Sequence, residues 1–318
     1  MFSLPATIVA RRNISYGFSL PILLLIVSTV LLGCRQHPDN RVRYTLEVKT
    51  SDEDMVNHTM DVLRKRLSYA DVGRYDIERQ GPQRIVVDAR GIHDIDRLAR
   101  LLTQSARLEF RLMAEPSALR IALTKLLDSF EPEVDSPDDA VSGYPLLDVF
   151  QPVGEGVVFG RVAAEDTAAV HHLLADPQVQ ALLPPGVELL YTAHPVSGTG
   201  DDVGFYEILG VKTQVELTGD VITDATVYPD NQEVGIQMNE EGARLWAHVT
   251  ESNIGRHLAI VFDGAVFSYP VIQDRIEGGR SQITGLNSVE EARDLALLFR
   301  AKGLPTPVYL VSMTPVDE

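Results

Sequence analysis

The sequence predicts an α+β chain, on three observations. Between Tyr44 and Leu112 the apolar spacing alternates between periods of two and of 3.6, in the order strand, helix, strand, strand, helix, strand. From 114 to 285 short strands, turn clusters and helices mix without repeating that order. After 286 a strongly capped helix and a last strand follow. The first order is the ferredoxin-like split βαβ. The prediction is a base over 42–113, an inserted mixed α/β head domain over 114–285, and a helix and strand over 286–318 returning to the base.

In the base, Tyr44, Leu46 and Val48 alternate as one face of a strand, and Ser51 to Asp54 have the form of a capping box. Val56, Met60, Leu63 and Leu67 then mark a helix. Tyr75 and Ile77 begin a second strand, Gly81-Pro82 turns it, and Ile85 to Val87 form a third. Asp94 caps a helix carrying Ile95, Leu98, Leu101 and Leu102, and Leu108, Phe110 and Leu112 alternate as the fourth strand.

The head opens with a helix over 118–130. Residues 131–144 carry five acidic side chains, no basic one and two prolines, which predicts a solvated loop. Asp135, Asp138 and Asp139 lack the alternating ligands and central glycine of a calcium loop. A strand from Leu146, a turn at Gly154 to Gly156 and a strand from Val157 to Val162 predict a hairpin. A helix over 163–175 holds His171 and His172, which at ~100° apart cannot both reach one metal. Strands over 187–192 and 205–212 flank a loop containing Gly198-Thr199-Gly200, too short a glycine pattern for a nucleotide site. Asn239 caps a helix over 240–252 with Gly242, Leu245, Trp246 and Val249 on one stripe, leaving His248 on the solvated side. Leu258 to Phe262 are apolar without alternation, which predicts cover on both faces, and Asp263-Gly264 turns them into Ala265 to Tyr269. Ser288 and Glu291 cap the last helix, and Gly303 and Pro305 end it. Its stripe is Val289, Ala292, Ala296 and Phe299, yet Leu297 lies on the other side and calls for a second apolar neighbour.

At the start of the chain, Arg11 and Arg12 precede an apolar run from Phe18 to Gly33 that ends in Leu31-Leu32-Gly33-Cys34. This is the form of an export signal, and the last four residues have the form of a lipobox in which Cys34 bears lipid. An uncleaved membrane helix is the competing reading, and sixteen residues is short for a span of ~20. The resulting expectation is a signal over 1–33, a tether over 34–41 and a body in the periplasm. Arg35, where an aspartate would retain a lipoprotein in the inner membrane, leans towards the outer membrane.

Cys34 is the only cysteine, which excludes an intrachain disulfide. The net charge of −17 becomes −19 once Arg11 and Arg12 leave with the signal, which argues against nucleic acid or an anionic membrane surface as a ligand. At 45% hydrophobic and 23% charged, the rest is an ordinary globular composition for two domains. There is no metal-spaced His/Cys cluster, no Gly-x-Ser-x-Gly elbow and no Walker loop, so the reading is of a protein without catalysis or cofactor.

The ordered blocks LTGD…ITDA, N-x-EGAR, NIGR-x-LAIVFDG, SYPVI, GGRSQITG and VEEARDLA-x-x-x-RAKGLPTPV, over 217–309, resemble the first periplasmic domain of SecD, a membrane subunit of the bacterial SecD/SecF protein-export system. ARLEFRLM at 106–113 extends the resemblance to roughly 42–311. It implies a base and a mobile head that holds a preprotein emerging from the channel, driven by proton flow through membrane helices that this sequence does not carry. The implied function is a non-catalytic lipoprotein accessory in protein export. Its partners would be exported polypeptides, SecD/SecF or Sec channel components, and the membrane through its lipid. Leu258, Ile260, Phe262, Phe267, Tyr269 and Leu297 are the candidate polypeptide-binding residues, with ordinary core as their alternative. The rival function is a structural adaptor that reuses the domain to hold another envelope complex.

Overall fold

Alternation of Val42, Tyr44, Leu46 and Val48 turns one face of β1 (Arg41–Val48) inward, and all four are buried. They pack against α1 (Glu53–Tyr69), whose Val56, Met60, Leu63 and Leu67 form the stripe expected. The cap of α1 is Asp52, one residue after the predicted Ser51, and its carboxylate accepts from the Met55 amide at 2.9 Å. β2 (Val72–Gln80) and β3 (Arg84–Ile92) follow as a hairpin. Asp94 caps α2 (Ile95–Thr103), which lays Leu98 and Leu102 on the same core. The computed structural model describes residues 40–129, 148–196 and 204–316. Cys34, the acidic loop at 131–144 and Gly198-Thr199-Gly200 lie outside the described residues.

β4 (Leu108–Met113) forms where its alternation predicts, but it does not close the base sheet. Leu108, Phe110 and Leu112 are buried on one face, and Arg111 and Met113 on the other. A strand covered on both faces belongs in a sheet interior. β4 accordingly takes a central place in a second sheet, and the slot beside β1 is filled from the far end of the chain.

The head continues with α3 (Pro116–Ser129), the hairpin of β5 (Phe150–Pro152) and β6 (Val158–Ala163), α4 (Thr167–Leu174) and α5 (Pro177–Gln180). β7 (Val187–Tyr191) and the long β8 (Phe205–Thr218) come next. β9 (Ile222–Tyr228) and β10 (Glu233–Met238) lead into α6 (Glu240–Ser252), where the Asn239 side chain accepts from the Gly242 amide at 2.8 Å. Gly242 is required by close packing, since a Cβ there would sit 2.6 Å from Cβ of Val221. The predicted stripe on α6 is displaced: Leu245 is 43% exposed, while Ala247 and Thr250 turn inward. Thr250 has an inward role because its hydroxyl bonds the Trp246 carbonyl and accepts from the Ile276 amide.

β11 (Leu258–Phe262) and β12 (Ala265–Ser268) form the hairpin predicted at Asp263-Gly264, with both turn residues at positive φ. β13 (Arg280–Ile283) precedes α7 (Val289–Ala301), capped by Ser288, whose hydroxyl accepts from the Glu291 amide at 3.1 Å. Leu295 through Phe299 are all buried, because α7 packs against both α1 and β9. That second neighbour answers Leu297.

β14 (Val308–Pro315) then pairs antiparallel with β1, giving the four-stranded base order β14-β1-β3-β2. The head holds a three-stranded sheet, β13-β10-β9, and a seven-stranded sheet, β12-β11-β4-β8-β6-β5 with β7 also on β8. The fold is α+β, with the split βαβ order completed by β14 instead of β4. Among the described residues no helix is long and apolar enough to cross a membrane.

Candidate functional site

The chain passes from base to head at 104–107 and returns at 302–307, and these crossings are fixed together. The Leu304 amide donates to the Ser105 carbonyl at 2.8 Å. Arg66 of α1, 1% exposed, sends its guanidinium to carbonyls on both sides: Leu101 at 2.7 Å, Gln104 at 2.5 Å, and Ser105 and Lys302 at 3.4 Å. The Asp263 carboxylate, at the hairpin turn, accepts from the Ala106 and Arg107 amides and the Ser105 hydroxyl. Beside the crossings lies a crevice of about 910 Å³, lined by His58, Leu108, Glu109, Val215, Leu298 and Lys302 among others. The Lys302 ammonium, its pKa lowered chiefly by burial, donates to the carbonyls of Asp220 and Ile222.

The six candidate residues divide in two. Leu258, Ile260, Phe262 and Leu297 are buried in one core cluster with Phe110, Trp246 and Phe299. Phe262 meets Phe267 and Phe299 edge-on, with centroids 5.7 and 5.6 Å apart. These four offer no open face in this conformation. Phe267 and Tyr269 are half-buried and lie where the hairpin reaches the sheet margin. That margin is partly capped, because the Ala193 amide donates to the Val266 carbonyl at 2.8 Å. Next to it the His194 ring packs edge-on to Phe267 at 5.5 Å and pairs with Glu291 at 2.8 Å.

Tyr269 leads to a group that reading the sequence missed. Its hydroxyl donates to Glu207 at 2.5 Å, and Arg161 donates to the other Glu207 oxygen at 3.1 Å while lying over the Phe205 ring. Glu207 is 4% exposed, so this carboxylate is satisfied from two sides. A lone acid within the apolar run FYEILG was the available signal. His257 is likewise engaged, its Nδ1 2.8 Å from the Tyr269 carbonyl. His171 and His172 lie with ring centroids 6.4 Å apart, and no group of metal-holding side chains occurs among the described residues.

Burial first, and then the bond to Glu207, pushes the Tyr269 phenol well above its ordinary 10.0. A raised acid favours the neutral form, so this bond stabilises the fold fully below pH ~10 and is lost as pH rises beyond it. Tyr269→Phe is expected to cost about 1–2 kcal/mol at pH 8. In urea unfolding the wild type should lose midpoint between pH 8 and 11 more steeply than the variant, and equal slopes would contradict this bond.

Comparison with known proteins places this architecture. A family model described as the SecDF P1 head subdomain matches residues 199–306, and one for the N-terminal P1 domain of protein translocase subunit SecDF matches 56–115. Protein translocase subunit SecD of Rhodothermus marinus is 45% identical over 286 residues, covering 81% of this chain and 46% of the relative. The chain belongs to the SecD P1-domain family. The SecD of Desulfurispirillum indicum is 30% identical over 271 residues, covering 84% of this chain and 42% of the relative. SecDF of Thermus thermophilus is 28% identical over 323 residues, covering 96% and 35%. This SecD-type chain thus spans about half the length, or less, of the curated relatives it matches. A crystal structure of SecDF in a super-membrane-facing form superposes with TM-score 0.53 at 26% identity, over 86% of this chain and 30% of that one. A structure of SecDF described as a membrane component that enhances protein export gives 0.51 at 26% identity, over 85% and 98%.

Proposed function

We propose that this P1 module is a non-catalytic accessory in protein export, which binds unfolded or emerging polypeptide at the cell envelope and works beside SecD/SecF or Sec channel components. The observation that carries the reading is the match of family models to both base and head. Cys34 would hold the body to the membrane through lipid, with the body in the periplasm. Phe267 and Tyr269 would make the contact, backed from behind by Leu258, Ile260, Phe262 and Leu297. An extended segment adding at the edge of β12 would take the place of the Ala193 bond to Val266, a strand-addition mode in which main-chain bonds give affinity and aromatic neighbours give grip.

The test is photocrosslinking in living cells from a reactive amino acid at Phe267 or Tyr269, with Ile121 of α3, 58% exposed, as a control position away from the hairpin. Adducts with many exported clients from the hairpin and few from position 121 are expected. Recovery of one stoichiometric partner with no clients would instead favour an adaptor, and no adducts with either clients or translocon subunits would end the export reading.

A further inference from the structure

One face of the base sheet carries no helix, and it is charged. The strand register places Arg74 of β2 opposite Arg90 of β3, and Arg90 opposite Arg41 of β1, so three arginines cross three neighbouring strands in one row. The next row along is Asp76, Asp88 and Arg43. Asp88 binds Arg41 at 3.1 Å and Arg43 at 2.8 Å through both nitrogens of its fork. Its carboxyl is held low, first by the bond from Arg43. Glu78 and Glu47 stand further along the same face. Arg74 and Arg90 are exposed, and no carboxylate among the described residues bridges either of them.

In a chain of net charge −17, a row built only from arginines is a local reversal of sign. Guanidinium forks suit the paired oxygens of a phosphate better than a lysine ammonium does. The position of the row says which phosphate. Arg41 is the seventh residue after Cys34, so the chain between them can span at most roughly 25 Å. A lipid on Cys34 therefore brings this end of the sheet within a short reach of a bilayer surface, where the row would meet anionic headgroups.

We propose that the row Arg41–Arg90–Arg74 docks the base on the anionic phospholipid headgroups of the membrane that carries Cys34. The location rests on the lipoprotein reading given above, while the charge geometry does not. Docking by this face leaves α1 and α2, which cover the opposite face, turned away from the bilayer and fixes how the base stands on its tether. Each arginine at an anionic surface raises the docked population about fivefold, so removing the two unpaired ones lowers it about twenty-five-fold.

The experiment uses the full chain in vesicles of phosphatidylcholine alone or with about a third phosphatidylglycerol. A dye at Thr314→Cys, exposed on this face beside Arg43, transfers energy to headgroup-labelled lipid. Transfer is expected to be stronger on the anionic vesicles than on the neutral ones, and that difference is expected to vanish in high salt and in R74Q/R90Q. Both replaced side chains are exposed, so an unchanged thermal melt checks that the variant folds. Equal transfer on the two vesicle types, or a double variant that behaves as wild type, would overturn the proposal. So would release by millimolar inorganic phosphate, which would make the row a site for the free ion. A Cys34→Ser arm separates the two readings: if it stays on the vesicles as wild type does, the anchor fails while the arginine effect is still measured; if only wild type stays but lipid composition has no effect, the row fails and the anchor stands.

Discussion

Arg66→Ala is expected to lower the free energy of unfolding by about 3–5 kcal/mol. Its guanidinium joins carbonyls of both crossings between base and head, with the close bonds to Leu101 and Gln104. Buried acceptors stripped of a donor cost ~1–3 kcal/mol each, and neighbouring losses do not add in full. Burial pulls the Arg66 pKa down to about 10, with Asp263 acting the other way, so the cation persists at neutral pH and its cost is already present in the native state. Arg66→Met keeps most of the apolar stem and separates the lost bonds from the cavity. Both variants should shift the urea midpoint with an unchanged slope, alanine more than methionine. A shift below ~1 kcal/mol for alanine would mean that water reaches the four carbonyls and that Arg66 does not pin the crossings.

The residues that sequence reasoning placed well are those whose local spacing decides their environment. Asn239, Asp94 and Ser288 cap their helices because the cap is a contact within three residues. Asp263-Gly264 turns its hairpin for the same reason. The unalternated run Leu258 to Phe262 declared that both its faces are covered. Local spacing could not say which sheet a strand joins. β4 has the alternation of a base strand, but its partners, β11 and β8, lie far from it along the chain. The same holds for Leu245, which is exposed, while Thr250 turns inward and accepts from the Ile276 amide, a partner distant in sequence. Glu207 and Arg66 escaped notice because a single charged residue in an apolar stretch announces a buried bond without naming its partner. In the candidate site, composition could supply aromatic and aliphatic residues but not tell support from surface.

Phe262→Ala separates those two roles. Phe262 is 3% exposed, with Phe267 against one edge and Phe299 against another. Truncation leaves a cavity between β11 and α7, and the expected cost is about 3–5 kcal/mol, against ~2–5 for Leu297→Ala in the same cluster. Phe267 is only partly buried, between the Phe262 and His194 rings, so Phe267→Ala should cost less, about 1–2 kcal/mol, while removing more of the client crosslinking. The two readouts should therefore run in opposite order across the pair. Urea unfolding ranks Phe262 first, and crosslinking from Tyr269, normalised to folded protein, ranks Phe267 first. Should Phe262→Ala keep its midpoint within ~1 kcal/mol of wild type and still abolish crosslinking, the hairpin opens in solution and the inner aromatic is itself a contact. With the order as expected, Phe262 and Leu297 act by holding β11 and β12 rigid, and the polypeptide meets only the margin they support.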